Sequence, residues 1–115
     1  MKFTKYWLPV LIYAILIFYL SSIPGENIPK VFKYQDVFLH IIEYALFAFL
    51  LSRAIKAYHP RLSFEKRFLT VLVFSFLYAL SDELHQLFVP QRCCSLVDLM
   101  NDGIGIVVAN ILYRK

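Results

Sequence analysis

The sequence predicts an all-α integral membrane protein, a bundle of four transmembrane helices with both termini on the cytoplasmic side. Three observations carry this. Of its 115 residues, 60% are hydrophobic and the mean hydropathy is +0.63, well above soluble domains of this size. The apolar residues fall into four runs, each near the roughly 20 residues that a bilayer core of about 30 Å requires. The polar and basic residues collect between the runs, whereas a soluble bundle would carry a polar stripe along every helix, and residues 11–20 and 104–112 are nearly apolar all round. At this length the chain is expected to form one domain, residues 1–115.

The first helix is expected at about 6–23. Lys2 and Lys5 precede it, and Pro9 falls in its first turn, where a missing N–H costs little. No small-x-small cleavage site follows, so it reads as a retained anchor and not as a removed signal. Pro24, Gly25, Asn27 and Pro29 mark a loop. The second helix, about 36–57, begins with Asp36, His40 and Glu43 and continues through a clean apolar run at 45–51. The interval 53–67 is the longest polar stretch and contains Pro60. A third helix, about 68–89, is closed by Pro90, and a fourth, about 95–113, by Arg114 and Lys115.

The net charge of +4 raises nucleic acid as a partner. The basic residues form short clusters between hydrophobic segments and no continuous helical face, so nucleic acid is excluded and a topological role explains them. With the N-terminus inside, four spans put nine Lys and Arg (2, 5, 53, 56, 61, 66, 67, 114 and 115) on the inner side and three (30, 33 and 92) on the outer side. The positive-inside rule then places both termini in the cytoplasm, and 26–33 and 90–94 outside.

This topology gathers the chemistry at one end. The stretch 81–102 packs Asp82, Glu83, His85, Gln86, Arg92, Asp98, Asn101 and Asp102 into an otherwise apolar chain. A charged side chain near the bilayer centre costs about 2.5–3.5 kcal/mol on insertion scales, so these carboxylates are expected to face one another or water. Asp36 and His40 are four apart; Asp82, His85 and Gln86, like Asp98, Asn101 and Asp102, are spaced i, i+3, i+4, so each set lies on one helical face. The expectation is one water-accessible cavity at the outer surface.

Asp82-Glu83-Leu-His85-Gln86, followed by Pro90-x-Arg92, Ser95, Asp98, Asp102 and Gly105, and preceded by Asp36-x-x-x-His40-x-x-x-Tyr44, resembles the VanZ-like family of small bacterial membrane proteins. The likeness extends over about 36–105. Gln91 stands where the family usually has glycine, which bears on the turn geometry but removes no reactive group; Val37 stands where lysine is common, and a cysteine pair precedes Ser95. The resemblance implies a multi-pass protein of the bacterial plasma membrane. The family takes its name from a protein associated with low-level resistance to teicoplanin, a glycopeptide that acts on cell-wall precursors outside the membrane.

Two functions follow for the site. In the first, it binds or shields the polar headgroup of a membrane lipid or lipid-linked cell-wall precursor. Arg92 pairs with a phosphate, and Asp36, His40, Gln86 and Asp102 complete the ligand-binding set. In the second, the protein is a membrane-embedded hydrolase or transferase acting on a lipid-linked phosphoester or glycosyl bond, with Asp82, Glu83, His85 and Asp98 as the catalytic set. A divalent metal is its candidate cofactor, and His85 is the first choice for proton transfer. The His40-x-x-Glu43 and Asp82-x-x-His85 spacings resemble ligand pairs of di-metal bundles, although such pairs are common by chance.

Two smaller features complete the reading. Cys93 and Cys94 are adjacent, with Cα atoms about 3.8 Å apart, below the disulfide range of roughly 4.4–6.8 Å, so free thiols are expected. Gly105 and Ala109, four apart with Gly103 nearby, predict a close helix contact, with another helix of the chain or a second copy in a homodimer as the partner.

Overall fold

The computed structural model describes residues 1–24, 31, 35–89 and 96–114, the side chain of residue 36 excepted. Among the described residues, four helices run antiparallel in chain order: α1 (Lys2–Ser21), α2 (Gln35–Tyr58), α3 (Phe64–Gln86) and α4 (Leu96–Leu112). The chain is an all-α four-helix bundle. Segments α1, 37–58 within α2, and α3 are long and apolar enough to cross a membrane. Helix α4, with 17 residues, reaches roughly 25 Å at 1.5 Å per residue. The longest dimension of the molecule, 46 Å, matches a bilayer of about 40–45 Å with its headgroup regions.

The surface is apolar as well as the core. Ile17, Tyr44, Ala48, Val71, Ala79 and Ile106 are fully buried, yet Leu11, Ile12, Ile15 and Phe18 of α1, Phe74 and Leu77 of α3, and Ile104 and Ile111 of α4 face outward. A water-soluble bundle does not expose apolar area on this scale. Hydrocarbon is the solvent that suits it.

Helix α1 begins at Lys2, four residues before the expected start, which moves Pro9 from the first turn into the helix interior. Pro9 has no N–H for the carbonyl four residues back, at Lys5. That carbonyl accepts from Arg53 Nη2 of α2 instead, and the guanidinium lies 5.0 Å from the centre of the Tyr6 ring. The gap left by proline thus becomes a tether between α1 and α2.

Helix α3 also starts four residues early. Ser63, in extended backbone conformation, accepts from Lys66 N–H at 3.3 Å, and Glu65 in the first turn suits the positive end of the helix dipole. The helix stops at Gln86 and tightens: the amides of Leu87, Phe88 and Val89 each donate to the carbonyl three residues back. At the same end of the molecule as Ser63, Arg67 is buried at 5% exposure. It donates through Nε to Ser52 Oγ at 3.2 Å and through Nη2 to the carbonyls of Tyr113 and Arg114 at 3.0 and 3.1 Å. One guanidinium therefore satisfies the carbonyls after α4 and joins α2, α3 and α4.

Helix α4 packs chiefly on α2. Its buried face is Asn101, Asp102, Gly105, Ile106, Ala109 and Asn110. A Cβ built at Gly105 would stand 2.2 Å from the carbonyl oxygen of Ile41, so only glycine allows this approach. The close contact at Gly105 is made within the chain. Gly103 is less constrained, with the Phe76 ring edge 3.9 Å from where its Cβ would be.

Candidate functional site

Because the helices alternate in direction, the end of α1, the start of α2, the end of α3 and the start of α4 share one end of the bundle. The Gly105 contact sets α2 and α4 so close there that His40 Nδ1 meets Asp102 Oδ1 at 2.7 Å. From α3, Glu83 Oε1 lies 4.0 Å from His40 Nδ1. From the first turn of α4, Asp98 Oδ2 lies 3.9 Å from His40 Nε2. One imidazole is thus surrounded by three carboxylates from two other helices.

A second polar contact lies one turn deeper. Tyr44, four residues after His40 and fully buried, donates its hydroxyl to Asp82 Oδ2 at 2.9 Å. Asp82 and Asp102 are themselves almost completely buried, and Asp82 Oδ1 and Asp102 Oδ2 have no hydrogen-bond partner among the described residues. Glu83 is buried as well, while His40 keeps 16% and Asp98 24% of its side chain exposed. The cluster is therefore sealed below and open at the edge formed by His40 and Asp98.

His85 is directed elsewhere. Its Nε2 lies 2.8 Å from Ser22 Oγ at the end of α1, and its ring stacks on Phe18 at 4.2 Å. Ser22 donates its own proton to the Phe18 carbonyl, so its hydroxyl accepts from the imidazole. The reason is angular. On α3 the inward face is Asp82, Glu83 and Gln86, and with about 100° per residue His85 points away from Glu83 by roughly 200°. It ties α3 to α1, as Tyr78 does by donating to the Ala14 carbonyl.

Of the residues the sequence singled out, the structure brings together His40, Asp82, Glu83, Asp98 and Asp102, and buries Gln86 on the same face of α3. Asp36 lies in the first turn of α2, with its side chain outside the described residues, as are Arg92, Cys93 and Cys94 in full. Tyr44 joins the buried polar end without having been counted in the site, and Asn101, which the spacing set on the face of Asp98 and Asp102, is buried there too. The i, i+4 spacing from His40 to Tyr44 was the available signal, but a tyrosine within an apolar run reads first as packing.

Chemically, the cluster is rich in acceptors and poor in donors. It can receive hydroxyl, ammonium or amide hydrogens, or a cation: ligand atoms of His40, Glu83 and Asp98 lie within 4.8 Å of one another. No curated protein and no solved structure matches the chain. A family model does: VanZ/LLP1, over residues 6–114, which includes all four helices and every residue of the cluster, and the chain belongs to that family.

Proposed function

We propose that this membrane protein binds the polar headgroup of an envelope lipid or lipid-linked cell-wall precursor at the outer surface of the bacterial plasma membrane. By shielding it, the protein lowers sensitivity to glycopeptides such as teicoplanin. One observation carries the reading: a buried acid and imidazole cluster, built by three helices, opens at one end of the bundle through its His40 and Asp98 edge. Burying several carboxylates in an otherwise apolar bundle costs free energy unless they are occupied, and a headgroup bearing hydroxyl or ammonium donors would occupy them. Arg92, on the segment between α3 and α4, is assigned to the headgroup phosphate.

The test is native mass spectrometry of the protein purified in mild detergent. A defined polar lipid should remain with the wild-type chain and be lost from Asp98→Asn at equal recovery of folded protein. Equal retention by both would reject the reading. Recovery of a cleaved or transferred product would favour the competing assignment, a lipid-linked hydrolase or transferase.

A further inference from the structure

The geometry points to a divalent cation site formed by His40, Glu83 and Asp98, with Asp102 as the residue that positions the imidazole. It deepens the headgroup reading, on which it rests for its role: the cation would be what the cluster offers to a phosphate oxygen.

Charge balance is the first argument. Among the described residues, Glu83, Asp98 and Asp102 surround the His40 imidazole, and Asp82 lies one turn deeper against Tyr44, so the side chains described there are chiefly acids. An acidic pocket repels a phosphate unless a cation stands between them. Geometry is the second. The three ligand atoms come from α2, α3 and α4 and lie within 4.8 Å of one another, whereas ligands each about 2.1 Å from one ion stand roughly 3–4 Å apart, so binding would draw them in by about 1 Å. Orientation is the third. Asp102 Oδ1 holds His40 Nδ1, which leaves Nε2, the nitrogen nearer Asp98, as the coordinating atom, and Glu83, whose Oε1 is 4.0 Å from Nδ1, would turn toward it on binding. This is the carboxylate–histidine–metal arrangement, in which the outer carboxylate sets the tautomer and the ring angle.

An observation independent of the three ligands also points to an occupant. Asp102 is fully buried, and its Oδ2 has no partner among the described residues; the same holds for Asp82 Oδ1. The large majority of buried side-chain polar atoms are hydrogen-bonded, and the unpartnered oxygen of Asp102, on the carboxylate that holds His40, is suited to the water ligands of a bound cation. One imidazole with carboxylates, and no thiolate among these groups, suits Mn²⁺ or Zn²⁺ better than a soft ion. The exposed edge at Asp98 leaves room for water or a phosphate oxygen in the remaining positions.

The experiment uses the full chain in detergent, stripped with EDTA and titrated with Mn²⁺ while free Mn²⁺ is followed by electron paramagnetic resonance. One saturable site is expected, displaced by Zn²⁺. Asp98→Asn, at the open edge, should abolish it, and Asp102→Asn should weaken it about 10- to 100-fold, the usual cost of losing an outer-shell carboxylate. Gel filtration and melting of each variant show that it is folded. No saturable site in the wild type, or the same affinity in folded Asp98→Asn, would overturn the proposal. Lipid retention is measured in parallel, with and without Mn²⁺. A lipid held equally in EDTA, with no Mn²⁺ site, removes the cation and leaves the headgroup reading; a Mn²⁺ site without lipid does the reverse.

Discussion

Tyr44 and Asp82 show how a single hydroxyl determines what a buried acid costs. The two groups meet at 2.9 Å in the sealed part of the cluster. Removing the donor leaves an unsatisfied acceptor, worth roughly 1–3 kcal/mol. Tyr44→Phe is therefore expected to lower the melting temperature in detergent, and Asp82→Asn, which can still accept from the tyrosine, to lower it less. Arg67 acts the same way at the opposite end, where its guanidinium is the donor to two carbonyls. In Arg67→Leu those carbonyls lose it, and faster amide exchange in the last turn of α4 would show the fraying. Unchanged exchange there would mean that water or another group replaces the guanidinium.

At the scale of elements, one close contact sets the site. Gly105→Ala puts a methyl carbon 2.2 Å from the Ile41 carbonyl oxygen, so α2 and α4 must separate. Overpacking of this kind costs about 1–3 kcal/mol, and the 2.7 Å pair of His40 and Asp102 should lengthen with it. Gly103→Ala is the control. Its nearest neighbour stands at an ordinary 3.9 Å, and alanine is favoured over glycine in a helix by roughly 0.5–1 kcal/mol, so its melting temperature should hold or rise. Pro9 and Arg53 form a second coupled pair. Pro9→Ala restores an N–H to the Lys5 carbonyl, so Arg53→Met should cost less in that background than alone. Additive effects on melting would refute the coupling.

For the whole molecule, the cluster and most of the basic residues occupy opposite ends of the bundle. The proposal that both termini are cytoplasmic rests on nine Lys and Arg against three. An impermeant thiol reagent added to intact cells should label Cys93 or Cys94, and should not label an Arg61→Cys variant in which those two are serine. The opposite pattern would invert the topology and put the cluster at the cytoplasmic surface.

The number and order of helices were legible from the chain, because a bilayer-length apolar run and a proline-bearing polar interval are local properties. So was the end of the bundle that holds the chemistry, since an antiparallel order fixes which helix ends meet. The early starts of α1 and α3 were less visible, because they depend on a carbonyl supplied with a donor from another helix and on a serine cap. Helical spacing relates residues only to their own axis. It grouped His85 with Asp82 and Gln86, but the rotation of α3 against its neighbours turned Glu83 inward and His85 toward α1. Packing makes that choice: Gly105 lets α4 settle on α2, which brings Asp102 to His40 and makes His40 the histidine at the centre of the acids.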